Sequence, residues 1–188
     1  MPQFTKIAIA ASFKKLLSKK SLSNITINDI VEDCGVNRGT FYYHFHDIYE
    51  LLEYVFMEYT NEILEYSNTH TWQETFLKVF STLIDNKSYI MNAYNSINRE
   101  ILENSLHRLI RNLFLSKFKQ SQDKLSKCRH VDEASIEFAA DIYGYSIGGM
   151  ILDWIKNDMP VEKPGKILAQ LEKLYPKLFF YTLKLLSK

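Results

Sequence analysis

The sequence predicts an all-α protein, and three observations carry that prediction. Glycine and proline are scarce, at six and four of 188 residues. Leu, Ile, Lys, Glu, Phe and Tyr dominate, a composition that favours long helices over turn-rich sheets. Apolar residues also recur at i, i+3, i+4 and i+7, with capping residues where each stripe begins.

The elements follow in order. Residues 4–19 read as a first helix, with Ile9, Phe13, Leu16 and Leu17 on one stripe. Ser21–Ile25 interrupts it. Thr26 is placed to cap a second helix, with Asp29 three residues on in near capping-box spacing. Ile27, Ile30, Val31 and Cys34 give that helix one apolar face, and Gly35 suits a left-handed stop. Asn37 is placed to cap a third helix, Arg38 to Phe45, in which Phe41 and Phe45 point inward. Asp47 opens a fourth, whose stripe runs from Ile48 through Leu51, Leu52, Val55, Phe56 and Tyr59 to Ile63. Ser67–His70 breaks it.

Thr71-Trp72-Gln73-Glu74 is a second capping box, opening a helix to about Asn86. A short helix is expected near Ser88–Asn95. The next runs from about Ile97 to Phe118, with Leu102, Leu106, Leu109, Ile110 and Leu113 inward. Residues 119–130 are polar and read as a loop. Asp132 caps a helix from Glu133 to about Asn157. A last helix starts near Pro164, a suitable first-turn residue, and Pro176 is expected to kink it.

The helices divide into an N-terminal domain, 1–46, and a helical domain, 47–188, joined by a linker helix over 47–66. Residues 1–46 hold six Lys/Arg against three acids, and the remainder holds seventeen against nineteen. This mild basic bias suits a DNA-facing segment. Cys34 and Cys128 form no C-x-x-C pair, so neither a structural zinc site nor a disulfide framework is indicated, and reduced cytosolic thiols are the simplest reading. No signal-peptide core and no ~18-residue apolar run are visible, so a cytoplasmic protein without a membrane partner is expected. No metal site and no cofactor are predicted. His44-x-His46 has the wrong spacing, since residues two apart on a helix face different ways. Phosphate loops and nucleophile motifs are lacking, which argues against an enzyme.

The informative stretch is ITINDIVEDCGVNRGTFYYHFHDIYELL, residues 25–52. Two short helices around a glycine turn make a helix-turn-helix, whose second helix enters the major groove. Ile25-Thr26, Asp29-Ile30, Cys34-Gly35-Val36, Thr40-Phe41-Tyr42, His44-Phe45 and Leu51-Leu52 together resemble the TetR family of bacterial transcription regulators. Within it, the Trp72-centred helix and the Phe41–Phe45 aromatic run are most similar to the branch named for the dihydroxyacetone-kinase operon activator.

That resemblance implies a homodimer that binds palindromic double-stranded operator DNA and is released or switched by a small-molecule effector. Thr26 and Asn28 would hold a phosphate at the second helix's start. Arg38 suits guanine O6 and N7, and Gly39 allows close approach. Thr40 offers either a methyl to thymine or a hydroxyl to phosphate. Tyr42 and His44 would contact phosphate or sugar, with packing as the other reading of Tyr42. Tyr43 faces either base or backbone. One departure stands out. Where many members carry a phosphate-binding Lys three residues after the motif's final Phe, this chain has Ile48, so either backbone anchoring at this helix start is weaker or Lys19 and Lys20 contribute instead.

Gly144-x-x-x-Gly148-Gly149 reads as close helix packing or a bend, either of which fits a dimer interface. The aromatics from Trp72 onward read as core and interface, or as a ligand cavity between helices. The family's pocket location suggests Phe76, Phe80, Leu106, Tyr143 and Ile147 as lining. Cys34 reads as a small buried residue. The alternatives are an activator, a dimeric regulator that has lost its ligand, or a helical adaptor or enzyme.

Overall fold

A computed structural model of the chain describes residues 2–96, 99–125 and 132–186. Among the described residues it contains nine α-helices, one 3₁₀ turn and no strand. These are α1 (Pro2–Leu17), α2 (Ile27–Cys34), α3 (Arg38–His44), α4 (Ile48–Ser67), α5 (Trp72–Asp85), α6 (Lys87–Tyr94), α7 (Glu100–Leu125), α8 (Glu133–Lys156) and α9 (Lys163–Leu186). None is long and apolar enough to cross a membrane. The chain forms two compact units: residues 1–61 with 82–105, and residues 62–81 with 106–188. The segment 1–46 lies wholly in the first.

In the first unit, α1 contributes Ile9, Phe13 and Leu17 to a core shared with Ile30, Phe41, Phe45, Leu51 and Leu52, all buried. Ser12 Oγ donates to the Ile30 carbonyl at 3.1 Å, a buried bond that ties α1 to α2. The α2 start is a full capping box. Asp29 N–H donates to Thr26 Oγ1 at 3.2 Å, and Thr26 N–H donates to Asp29 Oδ2 at 2.7 Å. Gly35 ends α2 in the left-handed region, at φ 71°, where a side chain would be strained. The Asn37 side chain caps α3 by accepting from Thr40 N–H at 2.8 Å.

The capping box has a pH consequence. Hydrogen bonds from the Thr26 backbone, with Lys20 beside it, hold the Asp29 carboxyl at about 2 against an ordinary 3.8. A carboxyl depressed on folding adds stability above its unfolded value and loses it as pH falls through the folded value. Asp29→Asn is therefore expected to flatten the acid loss of stability between pH 3.8 and about pH 2. Far-UV circular dichroism of both chains across that window checks it.

The second unit is built on aromatic contacts. Phe114 stacks on Tyr143 at 4.3 Å between centroids, and Phe118 on Phe179 at 4.6 Å. Trp154 is fully buried, with Phe80 edge-on at 5.2 Å. Its indole N–H donates to the Pro160 carbonyl at 3.0 Å. This clamps a turn in which Asp158 and Met159 both adopt positive φ.

Several details depart from the sequence reading. The first helix runs 2–17 rather than 4–19, and Leu16 and Ile27 are half-buried rather than core. Residues 119–125 belong to α7, while 126–130 lie outside the described residues. Lys119 and Gln120 are exposed but good helix formers, so the missing apolar stripe marked solvent exposure rather than a loop. Ile97, the expected start of α7, is likewise not described. Helix α9 continues past Pro176, whose side chain is outside the described set.

Gly144 and Gly148 serve packing within the chain. A Cβ at Gly144 would lie 2.9 Å from the His107 ring, and one at Gly148 would be 3.7 Å from His107 Cα. Gly144 lets α8 approach α7, whereas a Cβ at Gly148 would make ordinary contact. At this approach Arg111 Nε donates to Asp141 Oδ1 at 2.7 Å. α8 runs unbroken through all three glycines. Cys34 is half-buried rather than buried, and burial raises its thiol pKa. A raised pKa disfavours the reactive thiolate.

Candidate nucleic-acid interface and ligand cleft

Helix α3 presents the candidate reading surface. Successive residues turn by about 100°, so Phe41 and Phe45 share one face and Gly39 and Tyr43 the opposite one. Burial follows that geometry. Phe41 is 0% exposed and Tyr43 is 76% exposed. Arg38, Gly39 and Tyr42 are exposed, and Thr40 and His44 are half-buried on the flanks.

The side chains on this surface are partly fixed. Arg38 Nη2 donates to Tyr42 Oη at 3.2 Å, and its guanidinium lies 5.9 Å from the Tyr42 ring centroid. The fork is thus held over the helix, one turn from its own backbone. Thr40 Oγ1 donates to Asn37 Oδ1 at 3.1 Å, which commits the hydroxyl proton to the cap. The methyl and the remaining lone pairs stay available. A Cβ on Gly39 would meet Asn37 Oδ1 at 3.2 Å, so the small residue also protects the cap. Tyr43 stands edge-on to His44, with centroids 4.9 Å apart.

Thr26 and Asn28 are exposed at the start of α2. Lys20 reaches this helix start, its ammonium 3.0 Å from Asp29 Oδ2. Lys15 pairs with Asp33. The α4 start differs. Asp47 Oδ1 accepts from Tyr49 N–H and Glu50 N–H, both at 2.8 Å, and Glu50 accepts from His46 N–H. Two carboxylates occupy the turn that holds Ile48, so a phosphate there would meet negative charge. The sequence departure at Ile48 is matched by the local electrostatics.

Two anchors of this unit were not read from the sequence. Asn92 Nδ2, from α6, donates to the Leu17 carbonyl at 2.7 Å and closes the C-terminus of α1. Lys6 Nζ lies 4.2 Å from the Tyr54 ring centroid and 5.1 Å from that of Phe45. Both depend on tertiary placement and leave no periodic trace in the sequence.

In the second unit, a cleft of about 200 Å³ is lined by Trp72, Phe76, Leu168 and Leu171, with Thr71, Gln73 and Glu172 at its polar edge. Phe76 is the residue of the expected lining set found there. Phe80, Leu106, Tyr143 and Ile147 are buried in the unit's packing. Tyr143 also shares a 2.9 Å hydrogen bond with Thr182. No group of three or more His, Cys, Asp or Glu side chains forms a metal site among the described residues.

Residues 9–55 match the model described as bacterial regulatory proteins, tetR family, and residues 70–177 match the one for the transcriptional regulator C-terminal region of TetR type. The chain belongs to the TetR family. It is thus a transcriptional regulator whose DNA-binding domain contains the helix-turn-helix. This TetR-family chain is 28% identical over 91 residues to the HTH-type dhaKLM operon transcriptional activator DhaS of Lactococcus lactis subsp. lactis. That match takes in 48% of this chain, and the chain spans about half the length (49%) of the curated relative.

Its fold is similar to the solved dihydroxyacetone kinase operon activator DhaS, with a TM-score of 0.64, 23% identity and 98% of each chain covered. It is also similar to a TetR regulator from Rhodococcus sp. RHA1, with a TM-score of 0.62, 12% identity, and 93% and 97% covered. NalD of Pseudomonas aeruginosa, a secondary repressor of the MexAB-OprM efflux pump, gives 0.59 at 18% identity, with 93% and 96% covered.

Proposed function

We propose that two copies of this chain bind a palindromic operator as a homodimer, with small-molecule binding in the second unit switching affinity. The supporting observation is the two-sided character of α3. Phe41 and Phe45 anchor it, while Gly39 and Tyr43 lie on the opposite side and Arg38 and Thr40 flank them. An α-helix fits the major groove, and Arg38 offers its fork to guanine. Two-fold symmetry would set the reading helices about 34–36 Å apart, one turn of DNA. Thr26, Asn28, Tyr42 and His44 would hold phosphate or sugar, with Lys20 as the nearby cation.

Dimer formation is supported by α8, which is apolar on two sides. Its buried side carries Ile136, Ala140, Tyr143, Ile147 and Ile151. Phe138, Ile142, Tyr145 and Gly149 form an exposed stripe at i, i+4, i+7 and i+11. On α9, Leu174, Leu178 and Tyr181 repeat the pattern at i, i+4 and i+7. An exposed apolar stripe of this extent marks a surface that is covered by a partner, and a second copy is the simplest cover. The switch would be a population shift, driven by the effector's different affinities for the two states. The linker helix over 47–66 would carry it.

The test is a salt-controlled operator titration. Arg38→Ala is expected to weaken specific binding by about tenfold to a hundredfold, the discrimination of one bidentate contact. It should also relax preference at a single base position. Unchanged affinity and specificity would remove Arg38 from the interface. No operator binding by the unaltered dimer at any salt would remove the whole reading. Activation is the second reading, favoured by the name of the Lactococcus relative. A promoter fusion with and without the gene gives the sign.

A further inference from the structure

We propose that the cleft between the start of α5 and α9 takes a small organic cation: one apolar ring or short chain carrying an ammonium group. The proposal rests on the ligand-switched reading above and names the ligand class.

The walls are the Trp72 and Phe76 rings with Leu168 and Leu171. Phe76 and Leu168 are buried, and Trp72 is half-buried with its ring packed on Phe114 and Phe179, so the floor is fixed and the indole turns only its remaining exposed part to the cleft. The volume of about 200 Å³ is below the roughly 300–1,000 Å³ of drug-sized sites. A single ring with a short arm fits that size. An apolar body gains from such walls, and a cation gains further from an aromatic face.

Charge decides between a cationic and an anionic head. Among the described lining residues Glu172 is the one charged side chain, and none is Lys, Arg or His. The competing influence is the α5 N-terminus, worth about half a positive charge. That charge is already answered. Glu74 accepts from Thr71 N–H and from Thr71 Oγ1, each at 2.8 Å. The Glu74 carboxylate more than offsets the helix end, so Glu172 leaves the mouth net negative. An anionic ligand would meet that field. A cation bound over Trp72 would complement it, with the Gln73 amide at the same rim as a further acceptor.

The experiment uses the full chain and 2-phenylethylammonium as the probe, with 3-phenylpropanoate as the anion of matched shape. The chain has two tryptophans. Trp154 is fully buried against Phe80, so in the unaltered chain the ligand-dependent change in fluorescence reports Trp72 at the cleft. The expected result is saturable quenching by the ammonium at about millimolar concentration, the scale for so few contact atoms. The propanoate should bind several-fold more weakly. Glu172→Gln should cost about fivefold in ammonium affinity, as expected for a solvent-exposed ion pair, and leave propanoate binding no weaker.

No saturable response to the ammonium overturns the proposal. So does equal binding of the anion, or an unchanged affinity in Glu172→Gln. Operator release is measured separately. Binding with the expected charge preference but without release would support the cleft and sink the switching reading. Release without quenching would do the opposite.

Discussion

Replacing Phe41 with alanine is expected to cost about 3–5 kcal/mol of stability and to abolish operator binding, whereas Tyr43→Ala should leave stability within about 0.5 kcal/mol and lose only the DNA. Phe41 is fully buried at the centre of the first unit, 5.9 Å from Phe45 and edge-on to Tyr42 at 5.7 Å. Deleting its ring removes buried apolar area and leaves a cavity, and both terms act against folding. That loss is a large share of the ~5–15 kcal/mol a domain holds. Tyr43 stands on the opposite side of the same turn. Denaturant unfolding and an operator titration on both variants separate the two roles. A Tyr43→Ala chain as unstable as Phe41→Ala, or a Phe41→Ala chain with ordinary stability, would contradict the inward and outward assignment of α3.

The first unit was legible because its rules are local. A capping box, a left-handed glycine and a side-chain cap each act within four residues, so Thr26, Gly35 and Asn37 could be read as helix punctuation directly. The inward position of Phe41 and Phe45 follows from a four-residue spacing. What could not be read there is held by distant partners. Asn92 closing α1 lies 75 residues along the chain from Leu17, and the Lys20–Asp29 pair needs the intervening turn to fold back.

The second unit was legible in its helices and less so in its site. Aromatic residues on long helices look alike whether they fill a core or line a cleft. Phe76 and Phe80 sit four apart on α5, yet Phe76 lines the cleft while Phe80 packs on Trp154. The difference comes from where α9 lies, through Leu168 and Leu171, and no spacing within α5 encodes it. The glycines of α8 carry the same lesson. Gly144 and Gly148 meet His107 within the unit, while Gly149, one residue on, has nothing within 4 Å of its would-be Cβ.

That division of α8 supports the second large effect. Ile142→Glu combined with Leu178→Glu is expected to yield a folded monomer whose operator affinity falls by at least about a hundredfold. Both residues are exposed in the single chain, 52% each, so the substitutions disturb no core packing, and the melting temperature should lose only the concentration-dependent part that dimer formation supplies. In a two-fold assembly each patch faces its own copy or its neighbour's. Four carboxylates would then be desolvated in one apolar interface, a cost that apolar contact does not repay. A monomer holds one reading helix and loses the effective-concentration gain of two linked half-site contacts, worth about 10²–10⁴ in affinity. Leu77→Glu is the control, since Leu77 is equally exposed but lies on α5. Sedimentation should find that control dimeric and the double variant monomeric. A double variant that stays dimeric and binds operator normally would place the interface elsewhere, and the exposed stripes of α8 and α9 would then need another cover.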